Sequence, residues 1–132
     1  MEDTMHEFKY NGATYDPDKV YLGPEGHWLA AYIPKTPPSL PSYLFFDAWN
    51  RAAFIHDEDY KQKKLTGFFG RIKNFFRRRK ADDDFGARLM NRVMDLNHDR
   101  SLDADEFTIA KEYAKLCHKA VRTFGWSFYG TK

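Results

Sequence analysis

His56-Asp57, with Tyr60 four residues after the histidine, and the later run Ala81-Asp82-Asp83-Asp84-Phe85 are residues whose types and spacing suit chemistry. On a helix, His56 and Tyr60 lie one turn apart on one face, and Asp57 points roughly a quarter-turn away. Asp82, arriving from another segment, is placed to hold the imidazole by its far nitrogen. A metal-bound carboxylate, a neutral histidine and an orienting aspartate together suit activation of a water molecule. His56 and Asp82 are therefore candidate catalytic residues, with Tyr60 beside His56 on the same helix face. The same residues also fit a structural role. Asp57 and Asp59 then pair with Lys61, Lys63 or Lys64 as solvated helix charges, Asp82 to Asp84 complement a helix N-terminus, and His56 is a boundary histidine.

A second constellation runs from Asp95 to Glu106 and fits the twelve-residue EF-hand template. Asp95, Asn97 and Asp99 take the first, third and fifth positions, and Ser101 offers its carbonyl at the seventh. Asp103 takes the ninth, where a water often intervenes, and Glu106 is the bidentate twelfth ligand. Leu102 supplies the apolar anchor between them. Arg100 stands where the template has a glycine for its sharp turn, at a cost of about 1 kcal/mol for the left-handed backbone. The pattern predicts a calcium site acting as a structural clip. The competing reading is an acidic helix-to-helix loop.

The elements that must position these groups follow from apolar spacing and turn residues. Asn11-Gly12 predicts a hairpin turn within a Tyr- and Gly-rich N-terminal part. Pro34, Pro37, Pro38 and Pro41 form an extended connector that no helix can cross. Ser42 offers a cap, and 43–64 reads as a long helix, apolar almost all round in its first half and charged from His56 onward. That arrangement puts His56 and Asp57 at the edge of the core. Residues 67–80 read as a second helix. Asp82 opens a third, with Phe85, Leu89, Val93 and Met94 inward, and a last helix runs over 104–122. The aromatic tail 124–129 is expected to pack down.

The 132 residues make one domain with one modest core, and an aromatic content of 17% gives Phe, Tyr and Trp much of the burial. The expected class is mainly α, with a short N-terminal β element. Residues 1–41 form the β and loop part, and 42–132 the helical part that carries the loop at 95–106. A lone cysteine, Cys117, excludes an internal disulfide framework. The opening Met1-Glu2-Asp3-Thr4-Met5-His6-Glu7 has neither a basic start nor an apolar run. No secretory signal is expected, and the location is read as cytoplasmic, peripheral to a membrane. The net charge of +2 conceals segregation: nine lysines and arginines between Lys61 and Lys80 contain no acid among them.

Tyr21-Leu22-Gly23-Pro24, followed by His56-Asp57-Glu58-Asp59-Tyr60 and Ala81-Asp82-Asp83-Asp84-Phe85, resembles the phospholipase A2 superfamily, chiefly its disulfide-free viral branch. A second resemblance covers most of the chain. Ser39-Leu40-Pro41, Ala52 to Asp57 and Val121-Arg122-Thr123-Phe124-Gly125 are similar to pieces of a family of small phage and bacterial proteins of no settled activity. The first resemblance implies that His56 is a general base and that Asp57 binds calcium beside backbone carbonyls of Tyr21, Gly23 and Gly26. It also implies that Asp82 fixes the His56 tautomer and that Tyr60 bonds Asp82. The chain departs from that pattern in a long, proline-rich stretch between Gly23 and His56, and in Glu25.

Residues 67–80 alternate Phe68, Phe69, Ile72, Phe75 and Phe76 with Arg71, Lys73, Arg77, Arg78, Arg79 and Lys80. This is the pattern of an interfacial helix on an anionic phospholipid surface. It also fits a helix whose phenylalanines are core, or a docking surface for a protein or a nucleic acid. Helical rather than strand spacing of the aromatics argues against base stacking. The leading expectation is a calcium-dependent, phospholipase A2-like lipid esterase acting at anionic membranes. The alternative is a non-enzymatic, calcium-stabilised phage or bacterial accessory protein that binds a host protein or nucleic acid.

Overall fold

The computed structural model describes residues 7–21 and 37–125. Two short antiparallel strands, β1 (Lys9–Tyr10) and β2 (Ala13–Thr14), are followed by three helices: α1 (Ser42–Tyr60), α2 (Gly67–His98) and α3 (Ala104–Phe124). The fold is mainly α with a small N-terminal hairpin, as the sequence predicts. Asn11 and Gly12 both take positive φ, 51° and 82°, which matches the twist of a two-residue hairpin turn and pairs Lys9 with Thr14 and Tyr10 with Ala13.

α2 packs against both α1 and α3. One end of the core is built on Trp49, whose ring lies 4.3 Å from Phe45 and 4.9 Å from Tyr113 of α3, while its indole N–H donates to the Leu89 carbonyl at 3.2 Å. Leu89, Val93, Ala110, Cys117 and Val121 fill the seam between α2 and α3. The hairpin is held on α1 by a cluster of Phe8, Tyr15, Tyr21 and Phe54 with mostly edge-on ring contacts. Asn50, fully buried, completes that anchor. Its carboxamide oxygen accepts the Tyr21 backbone N–H at 2.6 Å, and its nitrogen donates to the Tyr15 hydroxyl at 3.0 Å and the Lys19 carbonyl at 2.8 Å.

Two expectations are corrected, and one of the three open readings of 67–80 falls away. The helices read separately over 67–80 and from Asp82 onward are one uninterrupted helix. Asp82 to Asp84 are thus mid-helix residues and not first-turn acids. Ala81 breaks nothing, and ion pairs from Arg78 to Asp82 and Lys80 to Asp84 span the junction at i,i+4 spacing. Ser42 is the first residue of α1 and not its cap; Pro41 holds the cap position, without a side-chain bond. The phenylalanines of 67–80 are not core: no residue in that stretch is buried. The tail 126–132, with its expected packing, lies outside the described residues.

Candidate functional site

The second half of α1 supplies five consecutive residues, of which His56 and Tyr60 converge on one partner. His56 faces α2, where Nε2 lies 2.7 Å from Oδ1 of Asp82. Tyr60, one turn on, donates its hydroxyl to the same Asp82 oxygen at 2.6 Å. Glu58 accepts from Lys61 at 2.9 Å, and Asp59 accepts the Tyr10 hydroxyl at 2.7 Å, which ties the hairpin to the end of α1. Asp57 is 4% exposed, and burial drives its carboxyl well above the ordinary carboxylate range against the opposing charges of Lys61 and Lys19.

Asp82 is completely buried, and Oδ2 accepts Arg78 Nη1 at 3.2 Å. An ionised carboxylate only accepts, so three donors converge on it: Tyr60 O–H, Arg78 N–H and, by elimination, a protonated His56 Nε2. That assignment makes Nδ1 the basic nitrogen of the imidazole. Burial and the Asp82 charge push the Tyr60 hydroxyl's pKa up, which keeps it a donor. The Phe85 ring lies 4.9 Å and the Tyr60 ring 4.3 Å from the imidazole, fixing its plane by contact. Gly125, at the end of α3, closes the far side. A Cβ there would come within 2.3 Å of the Tyr60 oxygen, so the residue must be glycine for Tyr60 to reach Asp82.

The three consecutive aspartates of α2, Asp82 to Asp84, serve three directions. Asp82 turns to α1, while Asp84 meets Lys80 at 2.8 Å on the surface. Asp83 turns to α3, where it accepts from His118 at 3.0 Å and from Arg122. Partial burial pulls the Asp83 carboxyl up, but the His118 bond and the Arg122 charge together hold it below the ordinary value. His118 itself sits against Gly86, where a Cβ would approach the imidazole to 2.6 Å. Asp83 thus locks α3 onto the helix that carries the site acid.

Of the calcium positions implied beside Asp57, Gly23 and Gly26 lie outside the described residues. Tyr21 is buried on Asn50 and Phe54. Asn50, Phe54 and Asp57 follow one another at helical spacing, so the chain leading to Gly23 starts on the same stripe of α1 as the Asp57 carboxylate. The buried Asp57 carboxylate is an oxygen ligand of the kind a hard cation takes.

At the 95–106 loop, α2 continues through Asp95 and Asn97 to His98. It ends with Arg100 at φ 62° and the Ser101 N–H bonded to the Leu96 carbonyl at 2.9 Å, a left-handed helix stop. The positive φ falls at the sixth template position, where the EF-hand needs it, and Leu102 is buried at the eighth. Asp103 caps α3 in a reciprocal box with Glu106: Glu106 N–H donates to Asp103 Oδ1 at 2.8 Å, and Asp103 N–H to Glu106 Oε1 at 2.9 Å. Among the described residues, no three His, Cys, Asp or Glu side chains converge as a metal cage. The backbone matches the template in the positive φ of Arg100, while α2 stays helical through the first four positions and Asp95, Asp99, Asp103 and Glu106 are not gathered around one point.

Residues singled out for membrane or partner contact divide. Phe68, Phe69, Arg71, Lys73, Arg77, Arg79 and Lys80 are on the surface, whereas Arg78 turns inward to Asp82. Asn50 and Gly125 were not foreseen as supports of the site. An asparagine inside an apolar helix segment is the signal for the first, and the glycine that closes Val121-Arg122-Thr123-Phe124-Gly125 for the second. No helix among the described residues is long and apolar enough to cross a membrane. Comparison of the chain with protein-family models, with curated proteins and with solved structures finds no match.

Proposed function

We propose that the protein is a calcium-dependent lipid esterase of phospholipase A2 type that works at an anionic membrane. The observation that carries this reading is the His56 Nε2 to Asp82 Oδ1 contact of 2.7 Å, with the Tyr60 hydroxyl on the same oxygen. It fixes the tautomer that a water-activating histidine needs. His56 Nδ1 takes a proton from water as the water oxygen attacks an ester carbonyl carbon, and the imidazolium then returns that proton to the leaving alkoxide. Asp82 holds the ring and stabilises its positive charge, while Tyr60 and Arg78 hold Asp82. Calcium held by Asp57, with backbone carbonyls of the Tyr21 to Gly26 segment, would polarise the ester carbonyl and favour the developing oxyanion.

The test is fatty-acid release from phosphatidylglycerol vesicles with and without calcium. Wild type is expected to release fatty acid only with calcium, His56→Ala to release none, and Asp82→Asn to keep partial activity. A wild type that releases none under either condition overturns the reading. One observation favours the alternative of a non-enzymatic, calcium-stabilised accessory protein: His56 and Asp82 are 1% and 0% exposed, as a polar cluster that only secures the core would be. In that case His56→Ala lowers stability and no substrate turns over.

A further inference from the structure

We infer that the first half of α2 is a docking element for an anionic bilayer, with Phe68, Phe69, Ile72, Phe75 and Phe76 entering the interface and the flanking lysines and arginines engaging lipid phosphates. The inference takes its kind of partner from the lipid reading above, and its test needs no turnover. No residue between Gly67 and Lys80 is buried, and Phe68, Phe69 and Phe76 are 71%, 75% and 61% exposed. Monomeric soluble surfaces rarely show so many neighbouring aromatics without a partner.

The arrangement around the helix is specific. At about 100° per residue, Phe68, Phe69, Ile72, Phe75 and Phe76 share an arc of roughly a third of the circumference. Phe68, Ile72, Phe75, Phe76 and Arg71 line a shallow apolar concavity of about 430 Å³. Lys73, Arg77 and Lys80 border the arc on one side and Arg71 on the other. Arg79 rises through it, 6.0 Å from the Phe75 ring. Asn74 points away from the arc, and there it clamps the incoming chain. It accepts the Leu65 N–H at 3.0 Å and donates to the Leu65 carbonyl at 2.7 Å. The link from α1 is therefore held on the opposite side, and among the described residues it leaves the aromatic arc uncovered.

Charge selects the occupant. The stretch contains six cations and no acid. Five of them face solvent, Arg78 being turned to Asp82, so a second copy would bring five more against these, and repulsion opposes that pairing. Nucleic acid would engage the cations but leave the phenylalanines in water. An anionic bilayer satisfies both, with phosphates at the level of the guanidinium and ammonium groups and the rings below them.

The experiment is co-sedimentation of the full chain with neutral phosphatidylcholine vesicles and with vesicles containing phosphatidylglycerol, at low and at molar salt. Wild type is expected to bind the anionic vesicles, and to lose most of that binding in molar salt, where screening is strong. Phe68→Ser and Phe69→Ser should each weaken binding by about tenfold. Arg71→Glu with Lys73→Glu should remove the preference for anionic lipid. All these variants should melt as wild type does, because the side chains contribute nothing to the core. Equal binding to both vesicle types, serine variants that bind like wild type, or Phe-dependent self-association in place of vesicle binding would each overturn the inference. Docking without ester hydrolysis keeps this inference and removes the esterase reading; hydrolysis of a dispersed ester without vesicle docking does the reverse.

Discussion

Nε2 of His56 meets Oδ1 of Asp82 at 2.7 Å across the seam between α1 and α2, and neither residue is more than 1% exposed. The contact is simultaneously a tautomer lock and a structural tie between two helices. Any change to Asp82 therefore reads out in stability as well as in chemistry.

Asp82→Ala should destabilise the protein by about 3–5 kcal/mol, since it leaves buried donors on His56, Tyr60 and Arg78 without their acceptor. Tyr60→Phe, which removes one bond to a charged group, should cost about 1.5–3 kcal/mol. Urea unfolding of the two single variants and the double variant measures both. Strict additivity would show that the hydroxyl and the carboxylate do not act as a unit.

The elevated Asp57 carboxyl gives stability a direction with pH. In the absence of calcium the folded state keeps the proton after the unfolded chain, with its ordinary value near 3.8, has released it. The contribution is complete below that value and is lost as pH rises toward the raised folded value. Asp57→Asn should remove this loss and melt higher than wild type at neutral pH. The two should converge in acid. Differential scanning calorimetry across pH in chelator checks it, and parallel curves for the two proteins would contradict it.

Calcium should raise the melting temperature if the 95–106 loop closes around it, because a ligand of the native state alone stabilises that state. Glu106→Gln should reduce the shift while keeping the fold, since glutamine can still accept the Asp103 N–H. Arg100→Gly should stabilise the protein by about 1 kcal/mol even without calcium, by relieving a side chain held at φ 62°. A melting curve indifferent to millimolar calcium would rule the loop out as a metal site.

Gly125→Ala should act through Tyr60. The added methyl group would meet the Tyr60 oxygen, and the cost of displacing it is about 1–3 kcal/mol. Tyr60→Phe should suppress much of that penalty by removing the atom that clashes. Equal penalties in both backgrounds, read from thermal melts, would place the effect elsewhere.

Much of this architecture is legible in the residues. Asn11-Gly12 specifies its turn and the proline connector delimits α1, while the meeting of Tyr60 with Asp82 follows from the resemblance and not from spacing. The junction at Ala81 is not legible, because aspartates after a basic run look like a new helix start. Only the i,i+4 pairs with Arg78 and Lys80 turn them into mid-helix residues. Nor does periodicity say what an apolar arc faces. Phe68 to Phe76 and Phe85 to Val93 repeat alike, yet the first set is in water and the second in the core. Arg78 reads as one more surface cation until the burial of Asp82 gives it an acceptor. The gathering of ligands at 95–106 is a property of chain and ion together, so residues alone predict the backbone turn at Arg100 and not the closure.

The unbroken course of α2 sets up a gradient of amide protection along a single helix. A fourteen-residue segment such as 67–80 would be marginally helical by itself, because starting a helix is the costly step. Here the buried half, from Ala81 onward, provides the nucleus, and the exposed half grows from it by propagation. Hydrogen exchange should be slow at Leu89 and Val93 and progressively faster toward Phe68, without a sharp boundary at Ala81. A partner that covers the aromatic arc would flatten that gradient from the distal end, so the exchange profile itself reports occupancy.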